Sequence, residues 1–413
     1  MGSALSFVTR VYTSFSPAKV ALNPDHLQIG ILSTGDLAAL SLITPAKSHR
    51  DIVVYAVASR DEEKAKKFAK KHGIYQAFYG KNAYRDLIED PRIDAVYIPL
   101  PNSMHYEWTI KALKAGKHVL VEKPIASTPE EAREMHELAD SLNLVLLEGI
   151  HTRFHPALQR VKAIVDSGEL GKIKHMSAKG LAPIQKADQV YKPSDFEQAK
   201  GSVMDIACYD VDIFRYLTGS EPTGVGSVAY TPSPKAKNMD KTADGVLEFP
   251  GEVTAAFSTD IALEIKLGFI PQFDFSLVVE CEEGSINLSN YMIPQIYHSL
   301  TVTKSNGQKR VEKVYKPASG SGAHGEEWWS TFRYQLKAFV QKIRGGSPPE
   351  WVKKEDSVAI LVWLQKIYEK VNARLSYNFL VSSTDPYILR GNAMQRVLTG
   401  QRASCTVFDS QKR

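Results

Sequence analysis

From Leu27 onward, short apolar runs alternate with amphipathic stretches, and that alternation restricts the fold more than any other feature of the chain. Each return to an apolar strand after a helical stretch requires a crossover, so the pattern builds a parallel sheet wrapped on both faces by helices. Residues 27–32 read as the first strand and 52–58 as the second, with further strands at 95–98, 118–121 and 144–147. Helical patterns fill the gaps. One spans 61–72, with Asp61 as its N-cap and Ala65, Phe68 and Ala69 facing inward; one spans 105–115, stopped by Gly116; one spans 128–142.

After Glu148 the texture changes. A helix near 156–165 is followed by period-two β segments at 173–179, 245–259 and 273–280, and a half-buried sheet of that kind needs helices on one face. Residues 203–217 and 329–344 supply them. The expected fold class is α/β: an N-terminal Rossmann doubly wound parallel sheet plus a C-terminal α+β domain with an open, mostly antiparallel sheet. The expected division is a flexible N-terminal lead-in (1–26), a dinucleotide-binding domain (27–150), a substrate and oligomerisation domain (151–376) and a C-terminal extension (377–413). The run 319–325 reads as a flexible break before the last helical region, and no internal repeat is evident.

The charge balance narrows the partner. Lys and Arg number 51 against 46 Asp and Glu among 413 residues, a net +5 spread along the chain, which is too weak and diffuse for nucleic acid recognition and points to a small-molecule partner. Three cysteines lie far apart with no C-x-x-C pair, so neither a disulfide framework nor a zinc ribbon is suggested and a reducing, cytoplasmic setting is expected. No apolar run is long enough for a membrane span. The first six residues, Met1 to Ser6, formally fit a myristoylation pattern, and the stretch to Asn23 carries Arg10 and Lys19 with no acid, as in a weak mitochondrial presequence; a disordered lead-in is the plainer expectation.

Chemistry gathers at the ends of the strands. Ser33, Thr34, Gly35, Asp36 and Leu37 lie between the first strand and a helix, where backbone N–H groups and the helix dipole favour a pyrophosphate. The glycine fingerprint reads here as Ser33-x-Gly35-x-x-Ala38, with its first glycine replaced. At the end of the second strand stand Ser59 and Arg60, with Lys64 nearby, where a site for NAD usually has an acid on the ribose 2′-hydroxyl; an arginine there matches a 2′-phosphate, so the expected cofactor is NADP. Pro99, Leu100, Asn102 and His105, then Glu122 and Lys123, fall at the carboxyl edge where open α/β sheets bind ligands. Lys123 follows a buried strand and needs an acid beside it, for which Glu122 is the neighbour, or a functional reason.

In the second half, Asp205, Tyr209 and Asp212 are spaced to project from one helical face. A Tyr paired with a Lys can exchange a substrate hydroxyl proton while hydride moves to a nicotinamide, because the ammonium eases formation of the phenolate. His151 and His155 have the spacing of a helical metal site, but the Glu of H-E-x-x-H and a third ligand are missing, so no metal is expected.

Together these residues resemble the Gfo/Idh/MocA oxidoreductase family. The resemblance runs over 27–377 and rests on Pro101-Asn102 with His105, on Ala115 through Pro124, and on Asp205 through Tyr209. The chain is most similar to the family's fungal-type branch of dimeric dihydrodiol dehydrogenases and NADP-dependent D-xylose dehydrogenases. That resemblance implies a catalytic pair of Lys123 and Tyr209 supported by Asp205, and Arg153, Phe154, Lys200 and Asp212 are expected toward the substrate. It also implies hydride transfer between NADP and a sugar, dihydrodiol or related alcohol or carbonyl, and a homodimer formed through the C-terminal sheet. A biosynthetic reductase of a larger carbonyl substrate and a catalytically silent NADP-binding regulator stay open, because Ser33 and Ala199-Lys200-Gly201 depart from the family's glycines.

Overall fold

Six parallel strands form the first sheet of the computed structural model, which describes residues 4–182, 200–234, 236, 239–261, 273–318 and 323–371. A helix, α1 (Ala4–Phe15), precedes them. The strands are β1 (Leu27–Ile31), β2 (Ile52–Ser59), β3 (Gln76–Tyr79), β4 (Ala95–Ile98), β5 (His118–Val121) and β6 (Leu146–Glu148), in the order β3-β2-β1-β4-β5-β6. Every pairing is parallel, and the strand order reverses direction between β1 and β4, which opens a crevice at their carboxyl ends.

The connecting helices follow from local signals. The first of them, α2, runs as α-helix over Asp36–Ala38, widens to a π turn at Ala39–Ile43 and returns to α-helix over Thr44–Ala46. Next come α3 (Glu62–His72), α4 (Ala83–Glu89), α5 (His105–Lys114) and α6 (Pro129–Ser141). Asp61 caps α3 by accepting the Lys64 N–H at 2.9 Å, and Ala65, Phe68 and Ala69 are its buried face. Thr128 and Glu131 form a reciprocal capping box on α6. The middle strands are apolar throughout because helices cover both faces; Ala95 through Ile98 are all buried.

The second half contains α7 (Pro156–Ser167), β7 (Ile173–Leu181), α8, which opens with a π turn at Val203–Ala207 and continues as α-helix over Cys208–Thr218, and then β8 (Gly224–Pro232), β9 (Asp240–Phe249), β10 (Val253–Asp260), β11 (Leu277–Cys281), β12 (Gly284–Leu288), β13 (Leu300–Lys304) and β14 (Lys309–Glu312). Two helices come last, α9 (Thr331–Ile343) and α10 (Lys354–Lys370). The strands form an eight-stranded sheet in the order β14-β13-β12-β11-β7-β10-β9-β8. Only β7 and β10 pair in parallel, so the sheet is mixed and mostly antiparallel.

One face of this sheet, including Met176, Ala178, Phe257, Leu277, Val279, Ile286 and Val302, is buried under helices, with α8 on β7 and α7 on β12. The registers align Ala256, Ser177, Val278, Asn287, Thr301 and Val311 in one row on the opposite face, where they are half-buried or exposed.

Three expectations change. Residues 245–259 are not one segment but two strands, β9 and β10, because Gly251 takes a left-handed turn (φ 75°) between them. The lead-in contains a helix with contacts to the rest of the chain: Arg10 of α1 lies 3.8 Å from the Tyr315 ring centroid and donates to the carbonyls of Gln295 and Ile296, while Val20 and Asn23 N–H groups bond Lys47 and Arg50 carbonyls. And α10, absent from the periodicity reading, packs on α6 of one half and α8 of the other. The C-terminal extension, Cys405, Ala199 and residues 319–322 lie outside the described residues. Among the described residues, no helix is long and apolar enough to cross a membrane.

Candidate active site

The turn after β1 carries Ser33 to Leu37 to the first turn of α2. Gly35, Asp36 and Leu37 are exposed and the N-cap residue Gly35 offers no side-chain cap to this helix N-terminus, as a phosphate site requires. Ser33 and Thr34 are half-buried, and the Ser33 hydroxyl accepts the Gly35 N–H at 3.0 Å. The substituted residue therefore occupies one donor of the turn.

At the end of β2, Ser59 is buried and accepts the Asp61 N–H at 3.2 Å, while the exposed Arg60 guanidinium lies beside the Tyr84 hydroxyl. The nearest acid, Asp61, is engaged in capping α3. Lys64 is exposed, its ammonium 3.7 Å from that same Asp61 carboxylate. The edge that meets an adenosine ribose in this fold thus presents a guanidinium and a hydroxyl, with its carboxylate already spoken for.

The β4 and β5 edges hold the next group. Pro99 is half-buried, and Leu100 and Asn102 are buried. His105, expected at the cofactor, is instead fully buried, its ring between the Leu100 carbonyl at 2.8 Å and the Pro124 carbonyl at 2.9 Å. The neutral ring has one N–H to give to one of the two carbonyls, and burial holds its pKa down at about 4.

Glu122 was the acid expected beside Lys123. It meets the Tyr97 hydroxyl at 2.5 Å instead, while the Lys123 ammonium crosses to the second half and donates to the Asp205 carbonyl at 2.5 Å. Lys123 also stands 5.1 Å from the centroid of the Tyr209 ring. The two groups that the sequence set apart by a whole domain share one crevice.

Burial opposes the Lys123 charge, but the groups around it, Cys208 and Asp205 first, outweigh it, and its pKa lies above the ordinary lysine value. Tyr209 is buried, and burial pushes its phenol well above the usual range. The expectation that Lys123 eases ionisation of Tyr209 does not hold in this arrangement, because the ammonium lies over the ring and spends a hydrogen bond on a carbonyl.

The helix that carries Tyr209 is held at its start by a buried network. Asp240 accepts from Ser202 Oγ and Val203 N, both at 2.7 Å, and from the Tyr368 hydroxyl at 2.9 Å. A side chain at Gly201 would collide with Asp240, which explains a glycine there. The half-buried Lys200 leads into this turn. The π turn at Val203–Ala207 breaks the regular helical spacing on which a shared face for Asp205, Tyr209 and Asp212 was expected.

Asp212 and Arg153 are corrected accordingly. Asp212 is fully buried and forks onto Arg153, which is itself buried and also donates to Asp356 at 2.7 Å. Arg215 joins Asp356 and Glu221 to the same cluster. A buried guanidinium that spends three of its N–H groups on two carboxylates holds the domain together rather than facing a pocket. Phe154 likewise lies in the hydrophobic core.

Two neighbours were missed as site residues. His151 stands with its ring centroid 5.3 Å from that of Tyr209, its Nδ1 2.8 Å from Thr331 Oγ1, and burial with Lys123 lowers its pKa to about 3. Glu148 is fully buried, accepts the Ile125 N–H at 2.9 Å and is raised by burial to about 7. An acid closing an apolar strand was the readable signal for Glu148, the same one that singled out Lys123. His151 was read only against a metal pattern; its spacing partner His155 goes elsewhere, accepting the Ala157 N–H at 3.1 Å to cap α7.

Comparison with known proteins agrees with this fold. Residues 27–150 match the oxidoreductase family model with an NAD-binding Rossmann fold, and 158–287 match the C-terminal domain model of the same family. The chain is 28% identical to a D-xylose 1-dehydrogenase (NADP(+)) of Haloferax volcanii over 83% of this chain and 97% of that protein. It is 31% identical to the trans-1,2-dihydrobenzene-1,2-diol dehydrogenase of Bos taurus over 58% of this chain and 70% of that protein. A 3-ketoreductase from Actinomadura kijaniata, solved with NADP and TDP-benzene, superposes with a TM-score of 0.70 at 22% identity, covering 84% of this chain and 98% of that one, which shows a common fold. The chain is an oxidoreductase of the Gfo/Idh/MocA family, with an NAD(P)-binding Rossmann domain.

Proposed function

We propose that the protein is an NADP-dependent dehydrogenase or reductase that passes hydride between the nicotinamide and a sugar, dihydrodiol or related secondary alcohol and its carbonyl. One observation carries the reading: Lys123 and Tyr209, from different halves of the molecule, converge over the carboxyl edge of the Rossmann sheet. The relatives named above supply the substrate class.

The chain's residues fit the cofactor. The uncapped N-terminus of α2 offers N–H groups to the pyrophosphate, and Arg60 with Ser59 offers charge and a hydroxyl to a 2′-phosphate where Asp61 is occupied by α3. When bound, the nicotinamide supplies or accepts the hydride. Lys123 orients the substrate oxygen and stabilises negative charge on it, and Tyr209, held as a neutral phenol, donates the proton that completes an alcohol. In the oxidative direction Tyr209 takes that proton back. Asp205 sets the lysine through its carbonyl, and Lys200 stands at the approach to the same helix. Retention of both Lys123 and Tyr209 disfavours a silent regulator.

The row across β10, β7, β11, β12 and β13, half-buried apart from the exposed Asn287, is the surface through which we place a homodimer, and sedimentation of the purified chain measures it. The reaction is tested by following NADPH formed or consumed with pentoses, trans-dihydrodiols, small dicarbonyls and a nucleotide-linked ketosugar. Turnover on the first groups and its loss in Lys123→Met and Tyr209→Phe support the reading. Unchanged turnover in Lys123→Met overturns it, and activity confined to the nucleotide-linked substrate moves the assignment to biosynthetic reduction.

A further inference from the structure

Three oxygen-to-oxygen contacts run in series beneath the crevice. Ser41 Oγ lies 2.6 Å from the Leu37 carbonyl oxygen, Ser41 Oγ lies 2.6 Å from the Tyr97 hydroxyl, and that hydroxyl lies 2.5 Å from Glu122 Oε1. Ser41, Tyr97 and Glu122 are all buried. Two oxygens at such distances repel unless a proton lies between them, so three contacts require three protons. The Leu37 carbonyl has none to give, Ser41 has one and Tyr97 has one. The third must belong to the carboxyl group.

We infer that Glu122 is held as the neutral acid and acts as a positioning residue: it donates to Tyr97, Tyr97 donates to Ser41, and Ser41 donates to the first turn of α2. The chain then links the residue preceding Lys123 to the turn that offers its N–H groups to phosphate. Burial raises the Glu122 pKa in the same sense, against the opposing influence of the Tyr97 hydroxyl and the neighbouring Lys123 ammonium; Tyr209 is the further titratable group facing this pair. A neutral Glu122 also explains why Lys123 turns to the Asp205 carbonyl rather than to the carboxyl group beside it in sequence.

The protonation state stands on the contacts alone; its consequence for cofactor binding rests on the function proposed above. Infrared difference spectra of the full chain against Glu122→Gln, taken from pH 6 to pH 8, test the first. A carboxylic acid C=O band present in the native protein and missing from the variant is expected, and a carboxylate signal in its place overturns the inference. Ser41→Ala supplies a second readout that does not depend on Glu122→Gln folding. Without Ser41 to receive its proton, Tyr97 donates to Glu122, ionisation becomes easier, and the acid band disappears at a pH lower by about one unit; an unmoved titration overturns the donor order. For the cofactor, Tyr97→Phe cuts the chain at its centre and weakens NADPH binding about fivefold, roughly the worth of one hydrogen bond, whereas an unchanged Kd removes the positioning role. Failure of the native protein to bind NADPH would sink the proposed function while leaving the infrared result to decide the state of Glu122.

Discussion

The Lys123 ammonium lies over the face of the Tyr209 ring, 5.1 Å from its centroid, and donates to the Asp205 carbonyl at 2.5 Å. The phenol oxygen is therefore not the lysine's partner in this state, and burial keeps the phenol protonated well above the usual range. Proton donation is the role ready at neutral pH.

The pH dependence has a definite sign. In carbonyl reduction the required form of Tyr209 is the protonated one, so kcat is expected to stay flat from neutrality up to the ordinary tyrosine pKa of about 10. In alcohol oxidation the group must accept a proton, so the rate rises with pH and reaches no plateau below about 10. Stopped-flow rates in both directions across pH measure this. A reductive rate that falls through neutrality would assign the proton to another group, with Glu148, raised to about 7, the first candidate.

The buried pairing of Arg153 with Asp212 makes a prediction of a different kind. Arg153→Ala removes the hydrogen-bonded partner of the fully buried Asp212 carboxylate and leaves Arg215 as the positive charge near both Asp212 and Asp356. Stability should fall by roughly 3–5 kcal/mol, the cost of breaking a buried pair by removing one partner. Denaturant melts read the loss directly. Native-like stability combined with a large rise in substrate KM would return Arg153 to the pocket.

Legible and illegible features divide along physical lines. Asp61 and Gly116 were readable because caps and stops depend on a few adjacent residues, and the strands because burial on both faces demands continuous apolar runs. Lys123 and Tyr209 stood out through their cost and their motifs. The partners of charged groups were not legible. Whether Arg153 meets a ligand or Asp212, and whether Glu122 meets Lys123 or Tyr97, depends on side chains brought together from distant segments, and neither spacing nor charge count fixes that. The π turn at Val203–Ala207 also escaped, since one widened turn leaves an apolar period almost unchanged while rotating every residue beyond it. His151 went unrecognised because its significance lies in the Tyr209 ring beside it.

Ser33 invites an experiment in the opposite direction from most substitutions. Its hydroxyl holds the Gly35 N–H at 3.0 Å, a donor placed where the turn faces phosphate. Ser33→Gly releases that donor, and NADPH binding should tighten about fivefold if the N–H then reaches a phosphate oxygen, at the worth of one net hydrogen bond. The more mobile backbone should cost about 0.5–1 kcal/mol of stability. Fluorescence titration of NADPH checks the affinity. Weaker binding in the variant would mean that the serine hydroxyl itself contacts the cofactor.

Cofactor choice rests on the end of β2. Arg60 is exposed beside Tyr84, Ser59 is buried at the strand end, and Asp61, the acid that follows, already accepts the Lys64 N–H at 2.9 Å as the cap of α3. Arg60→Ala should weaken NADPH binding by about ten- to a hundredfold, the range expected for losing a charge-assisted contact, and leave NADH almost unaffected. Adding Ser59→Asp places a carboxylate where it accepts from a 2′-hydroxyl and repels a 2′-phosphate, so the double variant should prefer NADH. Measuring kcat/KM with both cofactors for the native protein and the two variants decides the matter: equal losses for NADPH and NADH in Arg60→Ala would show that the guanidinium serves the fold or a phosphate common to both, and would remove the basis for assigning NADP.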